Sequence, residues 1–323
     1  MKIAFFEIRP GEQELLEEGL RGHSLKFFED PLNETNIQDV LDFDVISTHS
    51  KSKVTSAVIE KLNNLKLVAT RTTGFDHIDL QKCKEKNIVV CNVPAYGEIT
   101  VAEYAFALIL NVSRKIYQGV YNIKEKNNFD TNSLEGFDLN EKTLGVIGTG
   151  RIGQHVINLT RGFNMKVIAF DAFPRPELQE KLNFKYVSLE QLLSTSDVIT
   201  LHVPYLPSTH HLINSANINK IKKGAILVNT SRGGVIETKT LVDALENKIL
   251  SAAGLDVFEE EYEIANNQNT EAVTLVKKLI SMENCIVTPH NAFNSIEART
   301  RIEQTTIENI NNFLKDSLTN IVS

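Results

Sequence analysis

Three polar residues have the types that acid–base chemistry on a carboxylic acid needs, and each lies a few residues after a predicted strand: Arg232, Glu261 and His290. The planar guanidinium of an arginine can pair both oxygens of a carboxylate. A histidine can give and take a proton near neutral pH. A glutamate beside that histidine can fix its tautomer and stabilise the imidazolium. The three residues therefore predict a site that binds a carboxylate and moves a proton.

Each of these residues also has an ordinary structural interpretation. A lone arginine such as Arg232 is typical of a structural salt bridge, although Ser231 and two glycines around it favour a functional loop. His290 taken alone could cap a helix or lie on the surface. Glu261 ends an acidic run, Glu259–Glu261, and such runs are usually solvated. Spacing does not say which of the three carboxylates faces the histidine.

A glycine-rich turn is the clearest motif of the chain. The apolar run Leu144–Ile147 predicts a buried strand, and Gly148, Gly150 and Gly153 then fit G-x-G-x-x-G ahead of a helical pattern. In this motif the first glycine permits a tight turn, the second lets the backbone approach a pyrophosphate, and the third allows close packing of helix and strand. The helix N-terminus also attracts phosphate. The turn therefore predicts a dinucleotide-binding site.

The acid after the next predicted strand indicates which dinucleotide binds. Asp171 lies eighteen residues past Gly153, close to the spacing of a carboxylate that binds the adenosine ribose hydroxyls. This carboxylate would repel a 2′-phosphate, so we expect NAD rather than NADP, although Arg175 could weaken the preference. The alternative is an ordinary strand–turn–helix connection with a surface aspartate.

Short apolar runs alternate with helical patterns along the chain, which predicts an α/β fold with parallel sheets. The first hundred residues predict five strands, and 143–288 predict six. At 323 residues, two domains are the default. The loop Thr70–Gly74 follows a predicted strand and is either a ligand loop or a plain turn. The pattern from Ile296 to Leu318 predicts a helix that returns to the first domain.

One predicted helix is apolar on most faces. It covers Val101–Val112, with Thr100 as its N-cap and Glu103 completing a capping box. Such a helix belongs in an interior, so we expect it to cross between domains or to contact another subunit. The polar residues 121–142 after it predict a loop.

Composition narrows the class of protein. The net charge of -7 argues against a nucleic-acid or anionic-membrane surface. No run of eighteen apolar residues predicts a membrane span. Cys83, Cys91 and Cys285 lack metal-site spacing, which predicts reduced thiols in a cytoplasmic protein and no metal site. We expect packing or surface roles for His202 and for the pair at 210–211.

Several segments together resemble the D-isomer-specific 2-hydroxyacid dehydrogenase family, closest to its D-lactate dehydrogenase branch. The resemblance covers nearly the whole chain and rests on Thr73–Asp79, Asn92–Tyr96, Gly148–Gly153, Leu201–Pro204, Asn229–Gly233, Gly254–Glu259 and Thr288–His290. It implies two Rossmann-like or flavodoxin-like domains with doubly wound parallel sheets. An NAD-binding domain at 99–294 would be inserted in a substrate domain formed by 1–98 and 295–323. It also implies D-stereospecificity and a homodimer.

The resemblance also implies residue roles. Arg232 would bind the substrate carboxylate, His290 would be the acid/base, and Glu261 would be its partner. Thr73, Gly74 and Tyr96 would complete the carboxylate pocket with Arg232 and His290. The NAD site would comprise Gly148, Gly150, Arg151, Ile152, Gly153, Asp171, Val203, Pro204, Thr230, Ser231, Arg232 and Asp256.

The expected substrate pair is a small 2-keto acid and its D-2-hydroxy acid, with pyruvate and D-lactate first. A bulkier or phosphorylated keto acid is the alternative, weakly favoured by Lys51 and Lys53, and Asn291 and Phe293 leave the substrate side chain open. The formate dehydrogenase branch is disfavoured, because it has glutamine where Glu261 stands. A third alternative, of another class, is an NAD-sensing binding protein like the C-terminal-binding corepressors.

Overall fold

The computed structural model describes residues 1–33, 35–259, 261, 264 and 270–322. It divides into two compact units. Unit 1 comprises Met1–Gly97 and Asn294–Ser323, and unit 2 comprises Glu98–Phe293. Each unit contains one sheet, and every strand pairing in both sheets is parallel, which confirms the predicted α/β fold. In the described ranges, no helix combines the length and apolarity needed to span a bilayer.

Unit 1 has a five-stranded sheet in the order β2-β1-β3-β4-β5, the flavodoxin-like arrangement. Its strands are β1 (Lys2–Phe5), β2 (Ser24–Phe27), β3 (Val45–Thr48), β4 (Leu67–Thr70) and β5 (Val89–Cys91). Its α-helices are α1 (Glu12–Gly19), α2 (Ser56–Lys61), α3 (Leu80–Glu85) and the last helix of the chain, α11 (Ile296–Leu314).

Both faces of the unit 1 sheet are buried, because successive side chains along a strand point to opposite faces. One apolar cluster contains Ala4, Ile46 and Val68, and the other contains their neighbours Ile3, Val45 and Leu67. The second cluster also holds Ile310 of α11 against Leu16 of α1. The last helix therefore completes the core of unit 1.

Unit 2 has a seven-stranded sheet in the order β12-β11-β10-β9-β6-β7-β8. Its strands are β6 (Thr143–Ile147), β7 (Lys166–Phe170), β8 (Lys185–Tyr186), β9 (Val198–Leu201), β10 (Ala225–Asn229), β11 (Leu250–Leu255) and β12 (Cys285–Val287). The prediction of six strands was wrong by one, because β8 has only two residues and no apolar run. The strand order reverses between β6 and β9, and ligands of such sheets bind at the carboxyl ends of the strands near that point.

Unit 2 has seven described α-helices. They are α4 (Glu98–Arg114), α5 (Ile116–Lys126), α6 (Arg151–Leu159), α7 (Pro176–Leu182), α8 (Leu189–Thr195), α9 (Thr238–Glu246) and α10 (Glu271–Ser281). Two predictions about this region were wrong. Thr100 does not cap the apolar helix, because α4 already begins at Glu98. The segment 121–142 is not all loop, because α5 continues to Lys126.

The apolar character of α4 is explained by packing inside unit 2. The helix lies against α6 and against β10 and β11. Gly254 of β11 allows this approach, since a Cβ there would lie 3.2 Å from the Leu108 side chain and 3.3 Å from that of Val112. Helix α5, in contrast, has no buried residue.

Candidate active site

The glycine turn after β6 contains two glycines that the chain itself requires and one that it does not. A Cβ on Gly148, whose φ is 96°, would lie 2.6 Å from the carbonyl oxygen of His202. A Cβ on Gly153 would lie 2.1 Å from the carbonyl oxygen of Gly148. A Cβ on Gly150 would meet no described atom within 4 Å. The backbone at Gly150 is therefore open on the side that a ligand would approach.

Asp171 follows β7 and is bonded to the same turn. Its Oδ2 accepts hydrogen bonds from the Thr149 amide at 2.7 Å and the Thr149 hydroxyl at 2.9 Å. The Tyr186 hydroxyl lies 2.7 Å from the Thr149 hydroxyl, and Arg175 donates from Nη2 to the Thr149 carbonyl oxygen at 2.7 Å. Sequence reasoning missed Tyr186, because it lies on the unpredicted strand β8. Together these contacts hold the turn against the end of β7.

This region fits a dinucleotide. Gly150 stands at the N-cap of α6, so the first amides of a nine-residue helix point toward the open side of the turn. Arg151 is the first residue of that helix, with 65% of its side chain exposed, and it contacts Glu98 at 3.3 Å. The Thr230 hydroxyl, after β10, is buried without a hydrogen-bond partner among the described residues. A bound ligand with polar groups would satisfy it. The other predicted NAD-site residues near these strand ends are Ile152, inside α6, and Val203 and Pro204, after β9.

Asn229 shapes the loop that carries Arg232. Its Oδ1 accepts from the Ser231 amide at 2.9 Å and the Ser231 hydroxyl at 2.7 Å, and its Nδ2 donates to the Arg232 carbonyl oxygen at 2.9 Å. Arg232 in turn donates from Nη1 to the Ser231 carbonyl oxygen at 2.8 Å. Asn229 is only 1% exposed. This positioning role could not be assigned from the sequence, which only showed that Asn229 ends a buried strand.

Asp256 holds the turn that carries His290. Its carboxylate is fully buried and accepts from the Asn291 amide at 2.9 Å, the Ala292 amide at 2.7 Å and the Thr288 hydroxyl. The His290 amide donates to the Asp256 carbonyl oxygen at 2.9 Å. His290 has a φ of 52°, the left-handed region that is uncommon for residues other than glycine. These bonds keep the histidine in that conformation.

The structure brings His290 and Glu261 together. Nδ1 of His290 is 2.8 Å from Oε2 of Glu261, and Oε1 of Glu261 accepts from the Phe258 amide at 3.2 Å. A carboxylate can only accept, so Nδ1 carries the proton in this pair and Nε2 is the nitrogen that can exchange a proton with a substrate. The His290 side chain is 37% exposed, so a ligand can reach it.

Glu259, in the same acidic run, has different partners. Its Oε1 is 2.8 Å from Nε2 of His211, and its Oε2 accepts from the Thr238 amide at 2.9 Å and the Thr238 hydroxyl at 2.6 Å. Although burial opposes the charged form, the hydrogen bonds from Thr238 and His211 hold the pKa of Glu259 below its usual value. Glu260 lies outside the described residues.

Three other histidines of unit 2, at positions 202, 210 and 211, make packed or surface contacts. Burial lowers the pKa of His202 to about 3, and its Nε2 lies 2.9 Å from the Thr200 hydroxyl. The rings of His210 and His211 stack at 3.8 Å. Among the residues with described positions, no group of three potential ligands could hold a metal ion.

The predicted substrate residues of unit 1 lie in braced loops at the carboxyl ends of its strands. Thr73 donates its hydroxyl to the Val93 carbonyl oxygen at 2.9 Å, and the Gly74 carbonyl oxygen accepts from the Thr72 hydroxyl at 2.6 Å. The carbonyl oxygen of Tyr96 accepts from Nε of Arg301, on α11, at 2.7 Å. The loop after β4 is thus a fixed structure, and not a loosely held turn.

A buried arginine of that loop lies beside a buried glutamate of the last helix. Arg71, 1% exposed, donates from Nη2 to the carbonyl oxygens of Phe6 and Glu7, the latter at 3.1 Å. Its Nε lies 3.9 Å from Oε1 of Glu303 on α11. Burial raises the pKa of Glu303 to about 7, and the charge of Arg71 only partly opposes this. Arg71 therefore joins the loops after β1 and β4 to the last helix.

Comparison with known proteins identifies the family. A family model described as "D-isomer specific 2-hydroxyacid dehydrogenase, NAD binding domain" matches residues 106–292. The D-lactate dehydrogenase of Escherichia coli K12 is 34% identical over 322 residues, which cover 98% of this chain and 97% of that protein. A hydroxypyruvate reductase of Blautia hydrogenotrophica is 37% identical over 298 residues, covering 90% and 89%.

A solved structure agrees with these sequence matches. The D-lactate dehydrogenase of Aquifex aeolicus, crystallised with NAD and lactic acid, superposes with a TM-score of 0.88 at 36% identity, covering 98% of this chain and 96% of that one. The glycine turn, its open backbone and the acid after β7 fit the same cofactor. The chain therefore belongs to the D-isomer-specific 2-hydroxyacid dehydrogenase family and is an NAD-dependent oxidoreductase.

Proposed function

We propose that the protein interconverts pyruvate and D-lactate, using His290 as the acid/base. The observation that carries this proposal is the 2.8 Å contact between His290 and Glu261, in the unit that also contains the glycine turn and the Arg232 loop. Relatives named D-lactate dehydrogenase support the choice of substrate.

The proposed roles follow from the chemistry of each side chain. NADH, when bound, supplies the hydride that reduces the keto acid. Arg232 binds the substrate carboxylate, and its charge favours the negative oxygen that develops next to it. His290 donates a proton from Nε2 to that oxygen, while Glu261 stabilises the imidazolium beforehand. In the oxidation direction, neutral His290 accepts the hydroxyl proton. We further assign the Thr73 and Gly74 backbone and the Tyr96 hydroxyl to the substrate carboxylate.

The NAD assignments are also proposals about particular residues. The amides from Gly150 to Ile152, at the start of α6, would bind the pyrophosphate. Gly148 and Gly153 allow this turn to form, and Asp171 would bind the ribose hydroxyls. The remaining contacts would come from the strand ends, at Val203, Pro204, Thr230, Ser231, Arg232 and Asp256. Because Arg175 donates to the turn beside Asp171, a side-by-side assay of NADH and NADPH tests whether its charge weakens the preference for NAD.

Replacing His290 tests the central assignment. We expect His290→Gln to lower kcat with pyruvate by on the order of 10²–10⁴, because the proton donor is lost, and to leave NADH binding unchanged. Glu261→Gln should lower kcat through the same histidine. Fluorescence titration with NADH supplies the binding control. Wild-type turnover in His290→Gln would show that another group donates the proton.

Hydroxypyruvate is the second candidate substrate, because a relative with that named activity is 37% identical to this chain. A survey of kcat/KM with NADH over pyruvate, hydroxypyruvate, phenylpyruvate, 2-ketoisocaproate and glyoxylate separates the candidates. A phosphorylated keto acid belongs in the same survey, because Lys51 is exposed. The alternative of a cofactor-sensing binding protein gives way to the enzyme, because the family and these relatives are oxidoreductases.

We also propose that the enzyme is a cytoplasmic homodimer. Helix α5 has no buried residue, and large apolar side chains on it are roughly half exposed: Ile116, Tyr117, Val120, Tyr121 and Ile123. Monomeric proteins rarely expose a contiguous apolar patch of this kind. A Tyr117→Asp substitution should shift the mass measured by light scattering from dimer to monomer. An unchanged mass would mean that α5 is not the subunit contact. The three free, buried cysteines support a reducing compartment.

A further inference from the structure

Glu259 has no part in the proton transfer proposed above, yet its carboxylate is the anchor of the turn that carries Glu261. It joins the start of α9, through the amide and hydroxyl of Thr238, to Nε2 of His211. Since the carboxylate can only accept, His211 donates from Nε2 to Glu259. Side-chain exposure is 31% for His211 and 22% for Glu259, so solvent screens this contact only in part.

The two residues close around the segment that follows Arg232. On one side, the His211 amide donates to the Gly234 carbonyl oxygen at 2.8 Å. On the other side, Gly233 packs so closely on Phe258 that a Cβ there would lie 2.0 Å from the Phe258 carbonyl carbon. The segment after Arg232 is therefore held between the His211 backbone and the residue before Glu259.

The same turn fixes Glu261. The Phe258 amide donates to Oε1 of Glu261, and the other oxygen of Glu261 contacts His290. A displacement of Glu259 would move Phe258, and it would therefore disturb both the Arg232 segment and the carboxylate that faces His290. Misplacement of reacting groups by about 1 Å costs on the order of 10²-fold in rate.

We propose that Glu259 and His211 form a clamp that positions Arg232 and Glu261 for catalysis. The clamp is a pair of positioning residues, and neither of them touches the substrate. This inference rests on the proposed function, because it acts through the roles assigned to Arg232, Glu261 and His290.

Three variants test the clamp. Glu259→Gln leaves one acceptor oxygen for the donors on Thr238 and His211, because the other oxygen is replaced by a donating NH2 group, and His211→Leu removes the donor on the histidine. Both should lower kcat/KM for pyruvate by about 10- to 100-fold. The KM should rise because Arg232 is displaced, and kcat should fall because Glu261 is displaced. His211→Gln places an amide N–H where Nε2 stands, so it should retain close to wild-type kinetics. The NADH dissociation constant should change less than the KM for pyruvate in all three, because the glycine turn and Asp171 lie outside the clamp. In the double variant Glu259→Gln/His211→Leu, the two losses should not add, because they break one contact.

A neighbouring carboxylate provides the matched control. Glu237 also lies at the start of α9, where it accepts from the Ser215 amide at 3.0 Å and the Thr240 hydroxyl. Neither of these hydrogen bonds reaches Phe258, Glu259 or Glu261. Glu237→Gln should leave kcat and KM unchanged. An equal loss of kcat/KM in Glu237→Gln would overturn the clamp by showing that the effect comes from α9. A similar loss of kcat/KM in His211→Gln would overturn it by showing that the effect comes from general destabilisation. Melting temperatures of all variants accompany the kinetics.

Failure of the clamp and failure of the proposed function give different results. If Glu259→Gln and His211→Leu retain wild-type kcat/KM while His290→Gln loses turnover, the clamp is refuted and the proposed function stands. If His290→Gln itself retains turnover, the proposed proton donor is refuted, and the clamp is refuted with it.

Discussion

Gly150→Ala is expected to separate cofactor binding from folding. The backbone of Gly150 has φ -63° and ψ -170°, a conformation that alanine adopts without strain. The added methyl would meet no described atom of the chain within 4 Å. It would instead occupy the space in which a pyrophosphate approaches the amides at the start of α6.

Gly150→Ala is expected to raise the free energy of unfolding and to weaken NADH binding. Replacing glycine by alanine at a compatible backbone position stabilises the fold by about 0.4–1 kcal/mol, because the unfolded chain loses freedom. Losing one hydrogen bond to a charged phosphate costs about 1.5–3 kcal/mol. That cost corresponds to NADH binding about 10- to 150-fold more weakly.

The assay combines NADH titration by fluorescence with urea unfolding, and two further glycines serve as controls. Gly162→Ala is the control for binding and should keep wild-type NADH affinity, because a Cβ there also meets no described atom within 4 Å and the residue lies outside the glycine turn. Gly153→Ala should instead destabilise the fold by about 1–3 kcal/mol, since its methyl would overlap the Gly148 carbonyl oxygen at 2.1 Å.

Two results would refute this reasoning. Wild-type NADH affinity in Gly150→Ala would show that the pyrophosphate does not approach this backbone. A loss of stability in Gly150→Ala as large as that in Gly153→Ala would show that the space beside Gly150 is filled by the chain itself.

Three further predictions concern buried groups. Asp256→Asn should lose about 1.5–3 kcal/mol of unfolding free energy in urea, because an amide cannot accept hydrogen bonds from all three donors that the carboxylate binds. The kcat should fall as well, and unchanged stability and kcat would contradict the assigned bracing role. Burial raises the pKa of Glu303 from 4.5 to about 7, so between these pH values the folded state keeps a proton that the unfolded chain releases. The wild-type melting temperature should therefore fall as the pH rises from 4.5 to about 7, and Glu303→Gln should remove this slope. Equal slopes in the two proteins would contradict the prediction. Burial raises the pKa of Cys83 and Cys91 to about 11 and that of Cys285 to about 12, so a thiol reagent at about pH 8 should react with them only after unfolding, and rapid reaction of the native enzyme would disprove their burial.

The sequence predicted the strands that have apolar runs, and it failed where length or context decided. Ala225–Asn229 is buried along its whole length, so its composition alone marks it as a central strand. Lys185–Tyr186 is too short to show any pattern and pairs with β7 at the edge of the sheet. The helix Ile116–Lys126 buries none of its residues, so its polar end was indistinguishable from a loop.

The candidate site was predictable in residue type but not in pairing. Arg232 and His290 were predictable as site residues because both lie in loops after parallel strands, and the carboxyl ends of those strands meet at one edge of the sheet. Which glutamate faces the histidine depends on how Glu259 is held, and Glu259 is bonded to Thr238 and His211. Such contacts join positions about 20 to 50 residues apart and leave no periodic signal in the chain.

The return of α11 to unit 1 has a consequence during synthesis. The apolar surface that receives Ile310 is made in the first 97 residues, but the helix that covers it belongs to the segment beginning at Asn294, about 200 residues later. At about 5–20 residues per second, a ribosome needs on the order of 10–40 s to make the intervening polypeptide. During that interval the nascent chain can complete unit 2, while unit 1 still exposes an uncovered apolar surface to the translation machinery and its chaperones.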